Sequence, residues 1–403
     1  GGGIYYATTD NNGLYNLASA LPYNISQSLT ASNFVPTLAV GTSFTGLVVG
    51  PTAIAQPSID LHQRTSYAPQ WSLTIQRELT RNSVIELGYL ATLGIKLQQN
   101  VQPNNSQPGS AAVDPRRPFA GLVFDSGVSF PSYITVQGSS VPVQQVNVYQ
   151  MSAQSNYHAL FVRFEKRLSR GSSVLSSYTF GKAITNAPQY RNAGGANGSE
   201  NSPPQDSYNL RAERSLASFD VRHRWVTSYV YELPFGKGHK WASTGVGAAI
   251  LQGWQLSGIL TLQAGFPFTI NLQGDTAGIG GGTGGILVRA NPVPGVSYAL
   301  ADSQKSTAQW FNPKAFAQPA AFTFGTLGRN TVIGPGLVTL DTTVSRNFHI
   351  TERVSFQLRG EFFNLANHPN FNLVGRIINQ PNFGAVLNQL DPRQIQIGGK
   401  FSF

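Results

Sequence analysis

The chain has 403 residues, no cysteine, 11% charged residues and a formal net charge of +10. Without cysteine there is no disulfide framework, thiolate nucleophile or cysteine zinc site, and the charge content lies far below the roughly 25% of soluble domains. Lys and Arg are scattered, with no basic run longer than Arg116-Arg117, so the positive balance does not read as a nucleic-acid footprint.

No stretch approaches the ~18 uninterrupted apolar residues of a membrane helix, but this does not exclude a barrel, whose strands are short and half apolar. The chain begins Gly1-Gly2-Gly3 without a Met. It reads as a piece of a longer protein, so the lack of a visible targeting segment carries no information on location.

Gly1–Tyr6 reads as the outer end of a strand, and the Asn, Ser, Thr, Pro and Gly-rich stretch 7–69 as a long loop. Residues 70–79 then alternate, with Trp71, Leu73, Ile75 and Leu79 on one side and Gln70, Ser72, Thr74, Gln76 and Glu78 on the other. After Thr80-Arg81-Asn82 the pattern returns over 83–93, which predicts a hairpin. A polar loop is predicted over 96–156. A second hairpin follows at 157–168 and 172–182, with Leu160, Val162 and Phe164 set against Arg163, Glu165 and Arg167.

A third hairpin spans 221–233 and 254–263. Its longer connection carries Lys237, His239 and Lys240. The fourth spans 338–348 and 353–362. Its polar face holds Asp341 on the first strand and Arg353, Gln357, Arg359 and Glu361 on the second, and these side chains fit a wet interior rather than an apolar core. The last strand, 394–403, sets Ile395, Ile397, Phe401 and Phe403 against Gln394, Gln396, Lys400 and Ser402. Connections alternate short and long throughout. That asymmetry predicts an all-β, antiparallel, up-and-down transmembrane barrel with short periplasmic turns, long outer loops and a periplasmic carboxyl end.

The terminal pattern Gln396, Gly398, Phe401, Phe403 resembles the signal that the outer-membrane assembly machinery reads in bacterial β-barrels. The stretches GGGIYY, SLTIQRELTRNSVIELGYLATLG, FEKRLSRGSSVLSSYTFGKAI, FNPKAF, LDTTVSRNFHITERVSFQLRGEFFNLANHPNF and the terminal strand resemble the carboxy-terminal half of a TonB-dependent receptor barrel of the Oar-like group. The resemblance covers most of residues 70–403. It implies a 22-strand barrel closed around an amino-terminal plug, driven by an inner-membrane TonB complex. The chain supplies about nine to ten of those strands; plug, TonB box and the first half of the barrel lie outside it. Two unpaired strand edges are prohibitive in lipid, so residues 1–403 are expected to be one part of a single barrel domain.

The resemblance implies import of a scarce ligand. The alternative is an adhesion or polysaccharide-binding protein built on a barrel. No enzymatic triad, phosphate loop, metal motif or cofactor is read from the sequence. The six histidines are scattered, and the Gly-rich 278–285 reads as a mobile outer loop. Candidate lumen-facing residues are Asp341, Arg163, Glu165, Arg353, Gln357, Arg359 and Glu361, with an ion network filling a wet lumen as the structural reading. Arg81, Arg170, Lys237 and Lys240 form a basic rim at the short-turn end. Arg77, Lys166 and Arg346 stand on the lipid parity close enough to snorkel, which predicts contact with anionic phospholipid.

Overall fold

Period-two alternation places successive side chains on opposite faces, and each alternating segment forms a strand. The computed structural model describes residues 1–7, 47–49, 54–125, 134–136, 140–168, 172–187, 203–236, 241–280 and 288–403. Ten strands form one continuous ladder: β1 (Gly2–Ala7), β2 (Ser66–Thr80), β3 (Ser83–Val101), β4 (Ser140–Arg167), β5 (Ser173–Thr185), β6 (His223–Glu232), β7 (Trp254–Gln263), β8 (Leu337–His349), β9 (Ser355–Phe363) and β10 (Gln394–Ser402). Each pairs antiparallel with the next in chain order. The result is an up-and-down meander, open between β1 and β10 among the described residues.

The register keeps one phase across the sheet. Ile75 stands opposite Leu87, Leu87 opposite Val162, Val162 opposite Tyr178 and Tyr178 opposite Trp225. The row continues through Leu262 and Val338, and the same face closes with Phe356 against Phe401. The other face carries Glu86 opposite Arg163, Thr343 opposite Glu361 and Glu361 opposite Gln396. A one-residue slip anywhere would exchange the two faces. The apolar face is bare: Leu73 and Ile75 are both more than 60% exposed.

The aromatic and hydroxyl groups along the middle of this apolar face are bonded to each other. The Tyr89 hydroxyl and His158 Nδ1 are 2.7 Å apart, and Tyr178 and His223 repeat the pair at 2.8 Å. Trp225 Nε1 donates to Ser176 Oγ, which also bonds Thr227. Tyr229 lies over Gly258, where a Cβ would meet its ring, and bonds Thr342 Oγ1 at 3.0 Å. Such pairing is what a water-free surrounding demands of polar groups.

The strands differ from the sequence reading chiefly at the long-loop end. The expected loop 96–156 is strand at both margins, since β3 runs to Val101 and β4 begins at Ser140. A bulge marks the transition: Lys96 takes φ +57°, and the register shifts between Ile95 and Leu97. Above it the apolar alternation stops and buried amides take over. Gln102 donates to Asn147 Oδ1 at 2.8 Å, Asn105 to Gln102 Oε1 at 2.8 Å, and Asn104 to the Gln144 carbonyl at 3.0 Å. The strand Ile54–Ile59 runs parallel to β4 along Val143–Tyr149, beyond the point where β5 ends, and is the exception to the antiparallel ladder. At the other end, the expected turn 234–253 holds a short helix, α1 (Gly245–Leu251).

The main buried core is not under the sheet. It lies in the connections between β7 and β8 and between β9 and β10, where Phe268, Ile270, Leu272, Phe311, Phe316 and Leu327 pack together with Val374. The Phe311 ring sits 5.1 Å from Phe383 and 5.6 Å from Phe316. The expectation of a mobile Gly-rich loop is not met at Gly278–Gly280. Asp275 accepts the backbone N–H groups of Ile279 and Gly280 at 2.9 and 2.6 Å, and Ile279 is buried. Residues 281–287 lie outside the described set.

The two faces predict opposite responses to one substitution. Leu87→Arg, on the apolar face at mid-strand, is expected to cost about 2–4 kcal/mol in a bilayer, whereas Thr74→Arg, exposed on the polar face, is expected to change stability by no more than about 0.5 kcal/mol. Equilibrium denaturation of the full-length protein in vesicles measures both.

Candidate functional site

The strongest site candidate is the polar face of the sheet together with the cap built on it by the long connections. On β4, Glu165 lies between Arg163 at 3.5 Å and Arg167 at 3.2 Å. On β9, Arg359 and Glu361 are 3.5 Å apart. These pairs are i, i+2 neighbours on one face and half-exposed, so each contributes little stability; what they supply is a charged, hydrated surface. Gln357 stands opposite Lys400 on one side and Asn347 on the other.

Gly398 is opposite Arg359, and a Cβ there would lie 3.1 Å from Arg359 Nε. The glycine makes room for the guanidinium. Gly399 does the same on the opposite face for Phe356, whose ring packs 4.6 Å from Phe401. Gln396 faces Glu361 across the β9–β10 pair. Phe403 follows the last paired residues and is 98% exposed. Arg353 lies in the turn before β9, where its N–H donates to Thr351 Oγ1, rather than on the strand itself.

Asp341 sits between two open cavities. One, of about 410 Å³, is lined by Ser228, Ser257, Ile259 and Thr343. The other, of about 480 Å³, is lined by Thr339, Asn372, Asn388, Asp391 and Gln394. Phe363 borders both. One Asp341 oxygen accepts the Asn364 N–H at 2.8 Å.

The segment Phe363–Phe371 contributes Phe363, Asn364 and Asn370 to the lining of the second cavity. Asn364 and Asn367 adopt positive φ, which asparagine tolerates. Asn364 exchanges two bonds with the backbone of His368, each 3.0 Å. Asn370 exchanges two with Val338, at 2.8 and 2.9 Å, and so ties the connection to β8.

The cap is held by buried ions that periodicity could not reveal. Glu213 and Arg289 form a 2.8 Å pair, both nearly inaccessible. Gln205 extends it: its N–H donates to Glu213, its Oε1 accepts the Arg289 N–H, and its Nε2 donates to the Gly325 carbonyl. Arg329 donates to Ser215 Oγ and to the carbonyls of Thr185 and Ala187. Together these contacts join the β5–β6 connection to the β7–β8 connection. The advance signal was the charge of the β5–β6 connection, which carries Arg211, Glu213 and Arg214 in a row of four in a charge-poor chain.

Of the basic rim, Arg81 occupies the β2–β3 turn. Arg170, Lys237 and Lys240 lie outside the described residues. No group of three potential metal ligands occurs among the described residues.

The outer membrane beta barrel domain family model matches residues 1–396, and the chain belongs to that family. The sheet is thus outer-membrane barrel wall, its apolar face turned to lipid. No curated protein matches the sequence. Among solved structures, the chain is similar to the outer membrane transporter YddB from Escherichia coli, with 8% identity and a TM-score of 0.40 over 87% of this chain and 35% of that one. It is also similar to the ferripyoverdine receptor of Pseudomonas aeruginosa bound to ferripyoverdine, with 9% identity and a TM-score of 0.33 over 84% of this chain and 27% of that one. The chain spans about a third or less of the length of these structures.

Glu213→Ala leaves the Arg289 guanidinium buried without its carboxylate, a loss of about 3–5 kcal/mol. It is expected to expose the long connections to protease while the strand signal in far-ultraviolet circular dichroism stays unchanged. Limited proteolysis with circular dichroism checks both.

Proposed function

We propose that the chain is the carboxy-terminal part of a larger receptor barrel that takes up a scarce ligand by TonB-coupled energy. Its long connections are outside the cell and its short turns in the periplasm. The single observation that carries this reading is the polar face: charged side chains and two cavities around Asp341, beneath a cap folded from the long connections. A polar interior is common to outer-membrane barrels; what favours a ligand passage is that two cavities open on that face around Asp341. The remaining strands and a plug are assigned to the rest of the full-length protein, because β1 and β10 present open edges that lipid would leave unsatisfied.

A second reading, adhesion through a polysaccharide, has one observation in its favour: the cap has its own buried core and so presents a rigid outer surface. Energy dependence separates the two. Cells making the full-length protein are compared with cells lacking it, with and without a working inner-membrane energising complex, and depletion of small molecules from the medium is read by mass spectrometry. Uptake requires a compound depleted only in energised, protein-bearing cells, and reduced depletion by Asp341→Asn at an equal amount of barrel. Surface retention that survives loss of energy coupling supports adhesion instead.

The terminal residues are assigned to assembly. Phe403 lies past the last paired residue and is almost fully exposed, so its deletion removes little packing within the chain. The deletion is expected to lower the amount of barrel in the outer membrane without changing the thermal stability of the barrel that does insert. Quantitative immunoblotting of membrane fractions and heat-modifiable gel migration measure the two quantities separately.

A further inference from the structure

The connection between β6 and β7 contains a helix that does not fit an aqueous turn. Residues 241–253 carry no charged side chain. Within α1 only Ala248 is buried; Val246 is 75% exposed and Ile250 59%. Trp241 is also exposed, its ring 5.8 Å from Phe235. A seven-residue helix exposing nearly every side chain has almost no packing to hold it, and helices this short are marginal in water.

What does hold it comes from the lipid-facing side of the wall. The Arg346 guanidinium donates to the carbonyls of Ala249 and Ile250, at 2.7 Å to the former. Trp254 Nε1 donates to the Ile250 carbonyl at 3.0 Å. Trp254 and Arg346 are cross-strand partners on the apolar face, and Arg346 also lies over the Phe348 ring at 4.4 Å. The last carbonyls of a helix have no partner of their own. Here two side chains that belong to the membrane-facing surface supply partners, and the cation also suits the negative end of the helix dipole.

We propose that α1, with Trp241, is a membrane foot: it lies in the boundary between headgroups and acyl chains of the bilayer leaflet at the short-turn end. Its apolar side chains enter the acyl region, and Arg346 and Trp254 satisfy the backbone groups that lipid would leave unpaired. The occupant is lipid because the exposed helix is continuous with the lipid-facing wall through these two residues. The absence of charge between 241 and 253 removes the cost of entering that layer, and a Trp is the residue type that favours it. The assignment rests on the family's membrane setting and is independent of any ligand or energy coupling.

These 403 residues contain no cysteine, so a single introduced one reports its own position once any cysteine elsewhere in the full-length protein is replaced by Ser. Val246→Cys and Ile250→Cys, each labelled with an environment-sensitive fluorophore, are compared with Thr351→Cys in the β8–β9 turn. The full-length protein is reconstituted in phosphatidylcholine vesicles. At 246 and 250 the emission is expected to shift to the blue, to be lost mostly to lipids brominated at shallow acyl positions, and to resist aqueous iodide. The label at 351 is expected to respond to iodide and not to the brominated lipid. Iodide quenching at 246 and 250 equal to that at 351 overturns the proposal. Protection from both quenchers also overturns it, since a protein surface rather than lipid would then cover the helix.

Discussion

Backbone hydrogen bonding in a medium without water is the constraint on which this structure depends. Every amide and carbonyl that faces hydrocarbon must find its partner in the neighbouring strand, so the strands align along their length and the ladder holds one register phase from β1 to β10. That phase in turn fixes which side chains meet lipid. It explains why Tyr89 and His158, Tyr178 and His223, and Tyr229 and Thr342 occur as bonded pairs on the apolar face. A single unpaired hydroxyl or imidazole there would cost several kcal/mol.

The same constraint displaces the core. A soluble sheet stabilises itself by packing one face on apolar side chains, but here the apolar face is the lipid-side face of a barrel wall and the other face is polar. Neither can host a core. The buried Phe, Ile and Leu cluster forms instead in the long connections, where the chain has left the membrane and behaves as an ordinary globular structure. The bulge at Lys96 and the buried amides above it mark where the apolar alternation of β3 and β4 ends. The Glu213–Arg289 pair and the contacts of Arg329 then tie separate connections into one cap. The cap holds these connections in one fixed arrangement above the polar face of the sheet.

The short-turn end obeys a different economy of space. Arg81 and Asn82 complete the β2–β3 turn, but the β6–β7 connection is long enough to fold back, and α1 is fastened by Arg346 and Trp254 from the outward-facing side of the wall. Arg346 reads in the sequence as a snorkelling base close to a turn. Its structural role is more specific: it caps a helix and covers Phe348. The two descriptions share the same physics, a long aliphatic stem in an apolar layer with a charged head that needs oxygen acceptors.

The sequence by itself determined the strands, their faces and the alternation of short and long connections. These follow from a two-residue period and from turn residues a few positions apart, and both are local. Strand 254–263 is legible to the residue, and alternation alone puts Gln357, Arg359 and Glu361 on one polar face. Local signals failed where contacts cross the chain. Glu213 and Arg289 are separated by 76 residues, Arg329 and Thr185 by 144, and no period relates them. The extension of β3 and β4 past the apolar alternation was hidden because amides rather than apolar residues fill that part of the pattern. Helix α1 was hidden because seven uncharged residues are too few for a helical period to register. Tertiary structure alone decided these features, because each depends on groups that only the folded ladder brings within bonding distance.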